Sequence, residues 1–242
     1  MIARTVSGRI AYLSDKAADR GRPRGEETFT FTVATDGSVT QRAFSIIADA
    51  PHVRRDVIEN ADAQLRLKDC YVRIAVGKTA PFSEGAGWFR FGSEDATCEA
   101  FTSSEGRISQ RHQLTGGPVV FCNHAIVGDA WMMAAYPLAR GPGRVLVRDM
   151  LLPTLNKQGA TGPMLAHAHL GIEYLGPERI TVAAGAFDCL RFRCNSVASE
   201  DDLAEANLAY EMWCTADGLY MAVLSMYRGD RRYELTAFSA AA

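Results

Sequence analysis

The feature that most constrains the fold of this chain is a period-two alternation of apolar and polar residues, broken at short intervals by turn dipeptides. Phe29–Val33 alternates in this way, and Asp36-Gly37 then offers the positive-φ positions of a tight hairpin before Val39–Ile47. Because successive side chains of a β-strand point to opposite faces, the pattern predicts strands that bury one face. About a dozen such segments, spaced roughly 8–12 residues apart, are typical of an antiparallel sandwich or barrel.

Helical periodicity is weak by comparison. Val53–Leu65 fits either a helix or two extended pieces, of which we favour the extended ones, and Gly128–Tyr136 has room for one helical turn. A dozen twisted strands strain as an open sheet, whereas closure removes the unpaired edges and leaves an interior too wide for side chains alone. We therefore predict an all-β fold, a single antiparallel β-barrel of about 10–12 strands with an internal cavity and few short helical turns. Residues 1–242 are expected to form this one domain.

Composition and charge exclude several classes of function. The formal net charge is −2, from 26 basic and 28 acidic residues, so neither nucleic acid nor an anionic membrane is an expected partner. No apolar run is long enough for a membrane helix, and Met1–Asp15 lacks the apolar region of a secretory signal, which predicts a cytoplasmic protein. The six cysteines include no Cys-x-x-Cys pair, which favours buried thiols over disulfides or a zinc ribbon.

A His-x-His pair is the first polar feature that asks for an explanation. In Ala166–Tyr174, one strand face carries His167, His169 and Glu173, whereas the other face is apolar. The polar face looks either to bulk water or into a polar lumen. In a lumen, the two imidazoles could serve as acid or oxyanion partners in catalysis, or bind a metal ion together with Glu173. No metal is the main prediction, and this set is the alternative.

A second candidate follows the apolar strand Val119–Cys122. Asp129 lies five residues after His124, beyond a glycine that allows a tight bend, and a carboxylate turned onto the imidazole would make a general base. Trp131 offers a flat apolar wall with one N–H donor. The structural alternative is that Asp129 caps a short helix while Trp131 fills the core.

Further side chains are candidates for ligand binding. Arg191 could hold an anionic group, although an outward-facing arginine paired with acidic neighbours is the commoner arrangement. Phe91, Tyr174 and Trp131 are candidate walls for an apolar or aromatic ligand. The chain has no G-x-S-x-G elbow, P-loop, dinucleotide-binding glycine motif or H-E-x-x-H motif, so no cofactor is expected.

The C-terminal third resembles a known bacterial family. Tyr174–Glu178, Ile180–Phe192 and Tyr210–Gly218 carry a Val-x-Ala-Gly-x-Phe-like hairpin followed by a Trp-containing strand that ends in Asp-Gly. This pattern is similar to domain-of-unknown-function family 3108, and the remainder of the chain resembles uncharacterised bacterial proteins of similar length. The resemblance implies a β-rich, barrel-like fold and assigns no catalytic residue.

These patterns lead to a functional hypothesis with two alternatives. The main hypothesis is a cofactor-independent lyase, isomerase or hydratase that acts on an apolar aromatic or isoprenoid-like substrate, with His124 and Asp129 as base and His167 and His169 as partners. The alternatives are a non-catalytic, lipocalin-like carrier of a hydrophobic ligand and a metal-assisted enzyme that uses His167 and His169. The oligomeric state stays open, with a homo-oligomer among the states considered.

Overall fold

Fifteen β-strands dominate the computed structural model, which describes residues 1–156, 159–199, 202–204, 206–228 and 230–241. The strands of the first half are β1 Ile2–Ser14, β2 Pro23–Ala34, β3 Val39–Ile47, β4 Val53–Ala61, β5 Leu67–Val76, β6 Ser83–Phe91, β7 Asp95–Thr102 and β8 Gly106–Gln113. Those of the second half are β9 Val119–Phe121, β10 Gly143–Leu152, β11 Ala166–Val182, β12 Gly185–Val197, β13 Tyr210–Thr215, β14 Ala222–Tyr227 and β15 Arg231–Ala241. The helical elements are α1 Ile126–Asp129 and the 3₁₀ helices Ala130–Ala135 and Leu138–Arg140.

All fifteen strands belong to one sheet, in the order β8-β7-β6-β5-β4-β3-β2-β1-β15-β14-β13-β12-β11-β10-β9. Among the described residues, neighbouring strands run antiparallel except for the short parallel pair β9 and β10. In the described part of the chain, the two end strands, β8 and β9, share no backbone ladder, so hydrogen bonding between these strands does not close the sheet. No helix in the described part of the chain is long and apolar enough to cross a membrane.

The predicted all-β, barrel-like class is confirmed, with differences in detail. The described residues form fifteen strands, whereas about ten to twelve were predicted. β1 was not predicted from the sequence, and β11 is one long strand where the pattern predicts two, Ala166–Tyr174 and Arg179–Ala184. It passes through Gly176, at φ +117°, where the register with β12 shifts. The positive φ, which glycine adopts without steric cost, lets the strand continue past the irregularity.

A central segment, residues 119–135, fills much of the interior. It comprises β9, α1 and the first 3₁₀ helix, and nearly all of its residues from Val120 to Met133 are buried. Its aromatic side chains contact opposite parts of the sheet: Trp131 stacks on Phe31 of β2 with ring centroids 5.8 Å apart, and Phe121 packs 4.8 Å from Phe89 of β6. Apolar side chains and this segment together form the core.

The connection between β10 and β11 packs under one end of the sheet. Pro163 lies so close to β6 that a Cβ atom on Gly87 would come 2.8 Å from its Cγ, and one on Gly85 would come 2.7 Å from its Cδ. Glycine at both positions therefore allows the approach. This packing brings the start of β11 beside β8.

Candidate functional site

Three groups of residues could carry function: a buried polar centre, a cluster of histidines where β8 meets β10 and β11, and a cleft at one end of the barrel. The buried centre contains His124 and Asp129. Both side chains lie in the central segment, and His124 adopts a left-handed backbone conformation at φ +63°. Its ring is packed against Gly159, where an added Cβ would be 3.0 Å from the imidazole Cγ.

The side chains of β2 and β4 hold this centre in place. Glu27 is fully buried and accepts hydrogen bonds from the Ile126 and Val127 backbone N–H groups, each at 2.9 Å. On β4, Arg55 donates to the carbonyl of His124 at 2.8 Å, and Glu59 accepts from the side chain of Asn123 at 2.9 Å. Glu27 thus satisfies N–H groups at the start of α1 that have no partner within the helix.

Burial shifts the acid–base behaviour of the centre strongly. It lowers the pKa of His124 to about 3, and the nearby Arg55 guanidinium acts in the same direction. Burial raises the pKa of Asp129 to about 7, with a further contribution from the negative charge of Glu27. Both shifts have the sign expected when low-polarity surroundings disfavour the charged form.

The structure does not bring the imidazole of His124 to the carboxylate of Asp129. Oδ1 of Asp129 instead accepts a hydrogen bond from the thiol of Cys122 at 3.5 Å, and the backbone N–H of His124 is a further partner of this carboxylate. The ring atom Nε2 of His124 is buried and has no hydrogen-bond partner among the described residues. His124 and Asp129, which were predicted to form a general base, are therefore close in the sequence, but no hydrogen bond joins the imidazole of His124 to the carboxylate of Asp129 among the described residues.

The second group lies where β8 meets the end of β10 and the start of β11, a place that we call the seam. Its residues are Gln110, His112 and Thr115 on one side and Asp149, Leu165 and His167 on the other. The side-chain amide of Gln110 replaces the backbone of a neighbouring strand. Its Nε2 donates to the carbonyl of Leu165 at 3.2 Å, and its Oε1 accepts from the N–H of Leu165 at 2.7 Å.

Two imidazoles and a buried carboxylate meet at the seam. The rings of His112 and His167 stack with centroids 4.3 Å apart. Their Nε2 atoms lie 3.9 Å and 3.8 Å from Oδ1 of Asp149, whose side chain is 0% exposed. One ligand atom from each residue can be chosen so that all three lie within 4.8 Å of one another. Burial and the neighbouring ring of His167 lower the pKa of His112, so its ring is neutral at neutral pH.

The predicted partners of His167 are placed as follows. His169 stands beside it, with ring centroids 5.2 Å apart, and both imidazoles hydrogen-bond the carbonyl of Arg148, at 2.8 Å for His167 and 2.7 Å for His169. Glu173 is paired with Arg144 at 3.2 Å. The group able to share an ion with His167 contains His112 and Asp149, not Glu173.

The third group is a cleft of about 460 Å³ at the end of the barrel where the β4–β5 and β6–β7 turns lie, which we call the mouth cleft. Phe91 and Trp131 both line it. The indole Nε1 of Trp131 is buried without a hydrogen-bond partner in the described part of the chain. The other lining residues are Gln64, Leu65, Arg66, Leu67, Gly92, Ser93, Gly116, Gly117, Pro118, Val119, Val120, Ala134 and Ala135.

Two predicted ligand-binding residues lie elsewhere. Arg191 binds two carboxylates, Glu211 at 2.7 Å and Glu178 at 3.2 Å, which is the ion-paired arrangement weighed against it in the sequence. Tyr174 is buried and packs on Phe192 with ring centroids 5.1 Å apart. Neither residue lines the mouth cleft.

Comparisons with known proteins bear on the fold. No family model matches this chain, and no curated protein matches it. Its structure is similar to the crystal structure of a β-barrel-like protein of domain of unknown function DUF1849 from Brucella abortus, with a TM-score of 0.56 and 8% sequence identity. The similarity covers 100% of this chain and 99% of that chain. The shared fold is β-barrel-like. At this identity the likeness shows the fold alone.

This result corrects the resemblance drawn from the sequence. The similarity to domain-of-unknown-function family 3108 is wrong, because no family model matches and the structural neighbour is a DUF1849 protein. Apolar strand residues with Gly and Asp-Gly at the turns are common to many antiparallel sheets with tight hairpins. The quoted motifs therefore indicated the β-rich fold without identifying the family.

Neither His112 nor Asp149 was predicted from the sequence to be a metal ligand. His112 occupies a half-buried position of β8, between exposed neighbours, and its alternation resembles that of any edge strand. Asp149 follows Arg148 in β10, between Val147 and Met150, and is fully buried in the structure. A charged residue at an inward position of a strand was the available signal, since an acidic side chain is seldom fully buried without a partner.

Proposed function

We propose that the protein binds a small, largely apolar molecule in the mouth cleft, with the indole N–H of Trp131 donating a hydrogen bond to an acceptor on the ligand. Two observations carry this proposal: Trp131 lines a cleft of about 460 Å³, and its indole Nε1 is buried with no hydrogen-bond partner among the described residues. Small-molecule sites are usually concave, mostly apolar and of roughly 300–1,000 Å³, with a few polar groups that fix orientation. A buried donor without a partner costs free energy, which a ligand acceptor would recover.

A second cleft of about 420 Å³ makes a weaker candidate. Its charged residues already have partners, because Arg4 and Asp217 bind each other at 3.1 Å and Asp188 pairs with Arg179 at 2.6 Å. The hydroxyl of Thr215 donates to the carbonyl of Leu219. These polar groups have partners within the protein. The mouth cleft therefore offers the better-defined polar contact for a ligand.

Binding without catalysis is the form of the function that we propose. Neither the buried Asp129 nor His124, whose ring atom Nε2 is buried, lines the mouth cleft, and His167 and His169 do not line it either. A general base must come within hydrogen-bond reach of the proton that it removes. The carrier alternative therefore agrees better with the arrangement than the lyase or isomerase does. The cytoplasmic location and a homo-oligomeric state stay predictions.

Fluorescence titration with prodan, an apolar naphthalene dye that carries one ketone acceptor, tests this proposal. Trp131→Phe keeps an aromatic wall but removes the donor, and we expect it to weaken prodan binding by roughly 3–10-fold. Ala135→Phe should reduce binding by more than tenfold, because its larger side chain occupies the cleft. Trp88→Phe is the matched control, since Trp88 is 48% exposed on the outside of β6 and should bind the dye like wild type.

Two outcomes with these variants would contradict the proposal. Prodan binding that is unchanged in Ala135→Phe would place the dye outside the mouth cleft. A loss in Trp88→Phe equal to that in Trp131→Phe would mean that exposed aromatic residues of the outer face bind it.

A further inference from the structure

One buried oxygen at the seam lacks a partner although its neighbour on the same carboxylate is fully engaged. Asp149 Oδ2 accepts hydrogen bonds from the backbone N–H of Thr115 at 2.8 Å and from its hydroxyl at 2.7 Å. Asp149 Oδ1 is buried and has no hydrogen-bond partner among the described residues. Leaving a carboxylate oxygen buried and unpaired is costly. The nearest polar atoms include the Nε2 atoms of His112 and His167, both too distant for a hydrogen bond.

The three side chains form a donor set for a transition metal. Two imidazole nitrogens and one carboxylate oxygen are ligands that Zn²⁺ and related divalent ions take at about 2.0–2.2 Å. Tetrahedral ligands at that bond length stand roughly 3.3 Å apart. The Nε2 atoms of His112 and His167 lie 3.9 Å and 3.8 Å from Asp149 Oδ1. Both histidine side chains are about a third exposed, at 29% and 32%, so they can turn by the small amount required.

Surrounding groups support the same arrangement. Thr115 orients the carboxylate of Asp149, as hydrogen bonds beyond the ligands commonly do at metal sites. The carbonyl of Arg148 accepts from both His167 and His169. If His167 turned its Nε2 to an ion, His169 would still satisfy that carbonyl.

We propose that His112, Asp149 and His167 form a binding site for a divalent transition-metal ion, with Zn²⁺ as the reference ion, and that the ion joins the two ends of the sheet. His112 belongs to β8, at one end of the strand order, whereas Asp149 and His167 belong to β10 and β11, near the other end. The strands of the two ends share no backbone ladder there. The ion would add coordinate bonds to the contacts of Gln110 at the seam. This site is separate from the mouth cleft.

Zinc titration of the untagged, chelator-treated full chain by isothermal calorimetry tests the proposal. We expect one equivalent of Zn²⁺ to bind with a dissociation constant of about 10 µM or tighter. His112→Gln and Asp149→Asn should each weaken binding by at least about tenfold. Asp149→Asn keeps an oxygen that can accept from Thr115, and the partly exposed His112 makes His112→Gln the variant less able to disturb folding.

The control variant is His52→Asn. His52 lies in the β3–β4 turn at φ +55°, a backbone conformation that asparagine tolerates. The His52→Asn protein should bind Zn²⁺ with a dissociation constant within twofold of the wild-type value. A second readout is the melting temperature, which saturating Zn²⁺ should raise in wild type and in His52→Asn but not in Asp149→Asn.

Two results would overturn the proposal. One is wild-type binding weaker than about 100 µM, in which case the histidines and Asp149 act only as a charge-pairing cluster at the seam. The other is tight binding that persists unchanged in both His112→Gln and Asp149→Asn, because the ion would then lie elsewhere.

Discussion

Glu27 should be one of the side chains on which the stability of the barrel depends most. Its carboxylate is buried in the interior and accepts three hydrogen bonds: from the hydroxyl of Tyr12 at 2.7 Å and from the N–H groups of Ile126 and Val127 at 2.9 Å. Oε2 receives two of them and Oε1 the third. Glu27 therefore joins β1, β2 and the start of α1 across nearly 100 residues of sequence.

Glu27→Gln tests this role with almost no change in shape. The amide oxygen can replace Oε2, but the amide nitrogen then faces the N–H of Val127, and two donors meet in a buried place. A lost hydrogen bond with an unsatisfied buried donor costs about 1–3 kcal/mol, and the two remaining bonds lose their charged acceptor. Burial raises the pKa of Glu27, so removing the charge offsets part of this loss. We expect the free energy of unfolding to fall by about 2–3 kcal/mol.

Urea denaturation followed by circular dichroism measures this change. For a chain of this size the same loss corresponds to a melting temperature about 4–12 °C lower. Glu26→Gln is the matched control, because the side chain of Glu26 is 53% exposed and its nearest basic partner, Arg9, is 3.9 Å away. The control should stay within about 0.5 kcal/mol of wild type. A Glu27→Gln protein as stable as Glu26→Gln would refute the idea that this carboxylate anchors the central segment.

Three further predictions follow from the buried centre, the glycines and the seam. Burial raises the pKa of Asp129 to about 7 from 3.8, so its contribution to stability is present below pH 3.8 and is lost as the pH rises towards 7. Burial lowers the pKa of His124 to about 3 from 6.5, so its contribution is present above pH 6.5 and is lost as the pH falls. We measure the slope of the unfolding free energy against pH, by urea titration, between about pH 4 and 6.5. Relative to wild type, this slope should change by about +1.4 kcal/mol per pH unit in Asp129→Asn and by about −1.4 kcal/mol per pH unit in His124→Asn. Slopes equal to that of wild type in both variants would contradict both pKa shifts. Gly87→Ala should destabilise the fold by about 1–3 kcal/mol in urea, because the new methyl group meets Pro163, and an unchanged midpoint would speak against this close packing. Gln110→Ala should speed hydrogen exchange in the first residues of β11, and exchange as slow as in wild type would show that the seam holds without this amide.

Much of the strand layout could be predicted because the buried and exposed faces of a strand follow from the pattern of neighbouring residues in the sequence. The hairpin of β2 and β3 follows from the alternation at Phe29–Val33 and from Asp36-Gly37, and it appears as expected. β1 escaped prediction because its residues mix small, polar and apolar types without clear alternation. In the structure it pairs with both β2 and β15 along most of its length. Pairing on both sides stabilises a strand whose own pattern is weak.

The site residues could be predicted only in part. Phe91 and Trp131, which were predicted to be aromatic walls of a ligand site, line the same cleft, and their role in ligand binding stays a prediction. His124, whose φ is +63°, contacts Asp129 through its backbone N–H and not through a hydrogen bond of its imidazole. Spacing along the chain limits which residues can meet, but the backbone conformation between them decides which atoms do.

The sequence by itself determined the β-rich class, most strand positions and several turns, because each of these depends on residues only a few positions apart. Tertiary structure alone decided that residues 119–135 enter the barrel and that His112 meets Asp149 and His167. The physical reason is the separation of the interacting residues in the sequence. A period-two pattern shows which face of a strand is buried. The contacts across the interior depend instead on the order of the strands, on the paths of the loops and on the packing of Pro163 under Gly87.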